Sequence, residues 1–120
     1  MKKKDLIEIL ETGTWSEKIK TASELLDKFD TYSSEIIIGL TDDDADVRYW
    51  CLKILTEKNQ EKFGSFAETL VEDENWFVRC QAIYSLFLCD KNKYSKVIEK
   101  ALSNEKDEEA KDFLEKNIVL

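Results

Sequence analysis

One phrase occurs twice in this chain, and it constrains the fold more than any other feature. Leu40-Thr41-Asp42-Asp43-Asp44-Ala45-Asp46-Val47-Arg48, followed by Cys51 and Leu55, returns as Leu70-Val71-Glu72-Asp73-Glu74-Asn75-Trp76-Phe77-Val78-Arg79, followed by Ala82 and Leu86. The leucines lie 30 residues apart and the valines 31, so one residue is inserted in the acidic turn. A fixed period in this range marks stacked supersecondary units, each unable to bury its apolar face alone. Such chains serve as surfaces for holding another macromolecule more often than as catalytic pockets.

Composition sharpens the class. The 120 residues include thirteen aromatics but only three glycines and no proline. That is too much apolar surface for a disordered chain, and too few breakers for hairpins and sandwiches. An all-α fold with short polar turns is the expectation. Net charge is −8, from 18 basic and 26 acidic residues. That field repels phosphate backbones and anionic membranes and attracts a cationic partner; solubility alone is the simpler reading of the same charge. Cys51, Cys80 and Cys89 are odd in number, lack CxxC spacing and sit in apolar helical runs, as small core residues of a reducing cytosol do. Lys2 to Lys4 resemble the head of a leader peptide, but Asp5, Glu8 and Glu11 interrupt the apolar stretch that should follow. No run reaches the ~18 apolar residues of a membrane span. The expected location is cytoplasmic.

Apolar spacing arranges the chain as helix pairs over approximately 3–30, 33–58, 61–90 and 93–118, within one domain, 1–120. Gly13 ends a first short helix. Thr14 with Glu17 has the form of a capping box, and Trp15, Ile19, Ala22, Leu25, Leu26 and Phe29 keep the 3–4 spacing of one buried face. Ser33 or Ser34 is expected to cap the next short helix. Asp44 or a neighbour caps a longer one that buries Val47, Cys51 and Leu55. A short helix with Phe63, Phe66, Ala67 and Leu70 precedes a long one from about Asn75 to Cys89, apolar nearly all round and hence buried between neighbours. The last pair is degenerate: Ala110-Lys111, Leu114 and Ile118 stand where earlier copies have Val-Arg, Ala or Cys, and Leu. Polar terminal units are what an open-ended stack requires.

The D-x-x-x-x-V-R-x-x-A-x-x-x-L pattern at 42–55 and its second copy resembles the HEAT repeat, in particular the short bacterial HEAT-like variety. The resemblance is good in two copies, partial in a third and architectural over residues 1–35. It implies an α-α superhelix, a HEAT-like solenoid of about four antiparallel helix pairs. Its long inner helices would line a concave binding face, mostly without catalysis. It also implies that Arg48 and Arg79 are structural, bonded to the acidic turns at Asp42 and Glu72 or their neighbours, where the arginine fork suits carboxylates better than lysine does.

Sharper readings of the same residues fall away. Asp42, Asp44 and Asp46 have the first spacings of a calcium loop. The obligatory glycine position is Val47, however, and the closing glutamate position is Lys53, so capping explains the cluster and no metal is expected. Without histidine the usual neutral-pH general base is missing. There is no phosphate-cradling glycine loop and no nucleophile elbow. The chain reads as a non-enzyme with no cofactor.

Aromatics rimmed by acid make hot spots for a basic protein. Tyr49, Lys53, Trp76, Phe77 and Tyr84, with Asp43 and Asp73 in the acidic turns, are the candidate contacts. Repeat-to-repeat packing is the competing role for each aromatic. Three functions fit to different degrees. The first is a protein-binding module, in its most concrete form an acidic immunity-type inhibitor of a cationic toxin. The second is an assembly or chaperone factor resembling the HEAT-like proteins associated with phycobilin lyases. The third is a nucleic-acid enzyme resembling the HEAT-like alkylation-repair glycosylases, which need a basic cleft that a charge of −8 opposes. A basic protein partner, no nucleic acid, no membrane, and a monomer or weak dimer when unbound are the resulting expectations.

Overall fold

A computed structural model describes the backbone of residues 3–119 and the side chains of residues 6–119. Met1, Lys2 and Leu120 lie outside the described residues, and with Lys2 goes the start of the leader-like run. The described residues form eight α-helices and two 3₁₀ segments, with no strand among them. None of these helices is long and apolar enough to cross a membrane. The chain divides into two compact units, Met1–Lys58 and Asn59–Leu120.

The first unit contains α1 (Lys3–Thr12), α2 (Trp15–Asp27), α3 (Phe29–Ile38), a 3₁₀ turn (Gly39–Thr41) and α4 (Ala45–Lys58). Helix α4 packs against α1, α2 and α3. The capping box at the start of α2 is present: the Thr14 amide donates to Glu17 Oε1 at 2.8 Å, and the Glu17 amide donates to Thr14 Oγ1 at 3.2 Å. Hydrogen bonding from Thr14, its amide first and its side chain second, holds the Glu17 carboxyl below its ordinary pKa. Two orphan donors of the helix start are thereby satisfied.

Two expectations for this region need correction. The stripe from Trp15 to Phe29 does not form one buried helix face. Trp15 is 64% exposed and Ile19 48%, while Lys18, Thr21, Ala22 and Leu25 are buried. The helix is rotated by about one residue because Lys18 goes inward, where its ammonium meets the Asp46 carboxylate on α4. The following helix also starts earlier than Ser33 or Ser34. The chain turns at Lys28 (φ −107°, ψ 34°), and α3 begins at Phe29. This break gives Phe29, Tyr32 and Ile36 a buried stripe of their own at i, i+3 and i+7.

In the second unit, α5 (Gln60–Phe63) runs into a 3₁₀ segment (Gly64–Leu70), followed by α6 (Trp76–Asp90), α7 (Ser95–Asn104) and α8 (Glu108–Asn117). The short helix expected here is thus one α turn completed as 3₁₀. It lies against α6, which also packs on α5, α7 and α8. Gly64 permits this approach, since a Cβ there would stand 2.7 Å from Cys89 Sγ. Helix α6 buries residues on several faces, among them Val78, Cys80, Gln81, Ala82, Ile83, Ser85 and Leu86. Its apolar composition matches that position. Val47, Cys51, Leu55, Val78, Ala82 and Leu86, the six core positions read from the repeated phrase, are all at most 1% exposed. Burying a side chain as large as leucine contributes about 1.5–3 kcal/mol relative to leaving it in water, so these stripes dominate the stability of the helices that carry them.

Candidate functional site

The acidic turns have the same local geometry in both units. The Asp42 carboxylate accepts from the Asp44 amide at 2.8 Å, and the Asp73 carboxylate accepts from the Asn75 amide at 3.0 Å. Arg48 Nη1 donates to the carbonyl oxygen of Asp42 at 2.9 Å and of Asp43 at 3.0 Å. Arg79 Nη1 donates to the carbonyl oxygen of Asp73 at 2.8 Å. Each arginine therefore ties back to the residue six positions before it. The counterpart of Asp42 in this geometry is Asp73; Glu72 is exposed, so the inserted residue lies ahead of the aspartate.

Carboxylate recognition occurs elsewhere, at a residue that sequence reasoning passed over. Glu105, 6% exposed, receives a bidentate fork from Arg79, Nε at 2.9 Å and Nη2 at 2.8 Å. It also accepts from the amides of Lys106 and Asp107, both at 3.1 Å. The Arg79 bonds are the main cause that holds the Glu105 carboxyl below its ordinary pKa, against the opposing effect of burial. The same pairing raises the Arg79 guanidinium. A signal was available: Glu105 opens the third acidic turn, 32 residues after Asp73. Asp107 then caps α8, accepting from the Glu109 amide at 2.9 Å and the Ala110 amide at 3.1 Å.

The calcium-like spacing at 42–46 is used in the same way. Asp42 and Asp44 accept from backbone amides, with Val47 N–H on Asp44 at 3.1 Å, and Asp46 pairs with Lys18. All three carboxylates are engaged in holding the turn and α4.

The candidate contacts fall in three local settings. Tyr49 and Lys53, on α4, line a groove of about 410 Å³ in the first unit, with Trp15, Ile19, Ala22 and Leu26 from α2 and Trp50, Ile54 and Glu57 from α4. Trp50 is 4% exposed and anchors the floor. Trp15 tilts against it at 5.2 Å between ring centroids, and Tyr49 stands edge-on to it, also at 5.2 Å. Lys53 pairs with Glu57 at 3.2 Å on the wall. Burial raises the Tyr49 phenol, partly offset by Lys53 and reinforced by Glu57. Trp76 and Phe77, expected inside the acidic turn, instead form the first two residues of α6, half-buried and edge-to-face at 6.0 Å. Tyr84 is half-buried and edge-on to Phe113 of α8 at 6.0 Å. Of the turn acids, Asp43 is exposed and Asp73 half-buried.

A larger cavity of about 500 Å³ lies in the second unit over Glu68, Glu72, Arg79, Lys100 and Glu105. Its best-placed charges, Arg79 and Glu105, already satisfy one another, so it is less suited to a ligand than the apolar groove. The groove presents aromatic and aliphatic surface with few polar groups, which suits an apolar side-chain array and offers no nucleophile–base pair.

Comparison with known proteins gives no match to any family model, any curated protein or any solved structure.

Proposed function

We propose that the chain is a HEAT-like α-solenoid of about four helix pairs, a non-enzymatic module that binds a basic protein partner. In its most concrete form it is an acidic inhibitor of immunity type that neutralises a cationic toxin. The observation that carries this reading is aromatic surface held open to solvent, Trp15 and the half-buried Tyr49 beside Trp50, on a molecule of net charge −8. Apolar side chains grouped at the mouth of one groove suit a protein-binding surface, and the charge gives a cationic partner a faster approach. The matching turns at Arg48 and Arg79 support the repeat reading, since one local design recurs at the period of the repeated phrase. The acidic field disfavours nucleic acid.

The test is affinity capture from the native source, with identification by mass spectrometry, using wild type and a folded Tyr49→Ala/Tyr84→Ala double variant. A basic protein retained by wild type and reduced with the variant supports the reading. An anionic partner, or retention indifferent to both the variant and salt, rejects it. For the immunity form, co-expression should rescue cells from a toxin encoded beside this gene. Failure to rescue with the protein folded and soluble removes that form.

A further inference from the structure

The apolar residues of α2 that line the groove, Trp15 and Ile19 exposed, Leu26 half-buried and Ala22 buried, have an order of their own. Trp15, Ile19, Ala22 and Leu26 recur at i, i+4, i+7 and i+11 and form one edge and part of the floor of the groove described above. Tyr49, Lys53 and Glu57 of α4 recur at i, i+4 and i+8 and form the other edge, with Trp50 and Ile54 between. Two contacting helices thus each contribute a row of side chains to one apolar trough. From Trp15 to Leu26 the trough runs about 16 Å at 1.5 Å per residue, the length of three turns of a third helix. Such a trough is what helix-in-groove recognition uses, read by anchors at i, i+3 or i+4, and i+7.

Charge decides which helix enters. The first unit carries nine basic and thirteen acidic residues, and the whole chain −8. A second copy brings the same negative charge toward the groove, whereas a cationic helix is drawn to it. Among the described residues lining the trough, the full charges are Lys53 and Glu57, which pair with each other at 3.2 Å. The trough itself is therefore close to neutral and accepts an apolar face, while the surrounding field favours a basic outer face. Resting on the reading of a basic partner, we infer that the α2–α4 groove receives one amphipathic, positively charged helix of the partner, with Trp15 and Ile19 as the principal anchors.

The test needs no knowledge of the natural partner. Three synthetic helical peptides are titrated into the full chain, followed by tryptophan fluorescence and by anisotropy of a peptide label. One has a leucine stripe with lysines elsewhere, one the same stripe with glutamates, and one is the lysine peptide scrambled to destroy the stripe. Trp15→Ser/Ile19→Ser replaces solvent-exposed residues and should fold. Ile38→Ser, at a residue 68% exposed on α3, is the control. The lysine-striped peptide should bind at least tenfold more tightly than either other peptide. Trp15→Ser/Ile19→Ser should weaken it at least tenfold and Ile38→Ser should leave it unchanged. If the lysine-striped peptide binds wild type and the Trp15/Ile19 variant equally, the groove assignment fails while a basic partner stands. Preference for the glutamate peptide overturns the charge argument and the reading beneath it. Equal binding of striped and scrambled lysine peptides overturns the helix. A concentration-dependent dimer in sedimentation, abolished by Trp15→Ser/Ile19→Ser, assigns the groove to a second copy and overturns the inference.

Discussion

Replacing Glu105 with alanine should be among the more damaging single changes at a charged residue of this chain. Its carboxylate is 3% exposed and accepts four hydrogen bonds, two from Arg79 and two from the amides of Lys106 and Asp107. Removing one member of a buried ion pair costs about 3–5 kcal/mol when the survivor has no other recourse. Arg79 has some: its side chain is 22% exposed and keeps the Asp73 carbonyl. The two amides lie at a turn beside exposed Lys106 and can find water. The expected loss for Glu105→Ala is therefore roughly 2–3 kcal/mol, with Glu105→Gln, which keeps acceptor capacity, nearer 1–2 kcal/mol. At roughly 3–5 °C per kcal/mol for a chain of this size, the alanine variant should melt about 6–15 °C lower. Urea unfolding followed by circular dichroism, repeated from pH 7 to pH 3, adds a second constraint. The folded Glu105 pKa is lowered, so its stabilisation is fully present above the unfolded value and is lost as pH falls through the folded one. The gap between wild type and Glu105→Gln should stay constant above about pH 5 and close below the ordinary glutamate pKa of about 4.3. A gap unchanged at pH 3, or an alanine variant within 0.5 kcal/mol of wild type, would refute the assignment of Glu105 as the buried partner of Arg79.

Three further outcomes follow from the packing. Ala82 is fully buried, so Ala82→Glu should lose more than about 4 kcal/mol and fail to give a cooperative melt; unchanged thermal stability would place Ala82 at the surface. A Cβ at Gly39 would collide with Cys51 Sγ, so Gly39→Ala should cost about 1–3 kcal/mol and be partly relieved by Cys51→Ala; additive effects of the two changes would deny the contact. Burial pushes the thiols of Cys51 and Cys80 up to about 12, so at pH 8 a thiol reagent should modify half-buried Cys89 first and the other two only in denaturant; rapid reaction of all three would contradict their placement.

The repeated phrase made the helical class and the six core positions legible because they depend on spacing, and spacing is what a helix face preserves. Asp44 and Thr14 were legible for a similar reason, since a cap is a local event whose partners lie within three residues. What escaped was rotation. Trp15, Ile19, Ala22 and Leu26 form as good an apolar stripe as any in the chain, and hydrophobic periodicity assigns such a stripe to the core. The inward lysine at position 18 is stabilised by Asp46, 28 residues away, and no local pattern announces that pair. The break at Lys28 has no glycine or proline to mark it. The Arg79–Glu105 fork is hidden from local pattern because the carboxylate comes from the next acidic turn along the chain and not from the arginine's own. Helical spacing places Tyr49 and Lys53 off the buried stripe of α4; that Trp15 and Ile19 share a groove with them depends on the packing of α2 against α4, which no local pattern announces.

The central claim, that this acidic surface captures a basic protein, is tested most directly by association kinetics. Once the captured partner is purified, stopped-flow association is measured from low to high salt, with dissociation measured separately. The account predicts an association rate that falls at least tenfold between about 20 and 300 mM salt, as steering over a shortened Debye length requires, and a dissociation rate that changes little. Replacing Trp15 and Ile19 should raise the dissociation rate and leave that salt slope in place. An association rate that is flat or rises with salt would contradict the account.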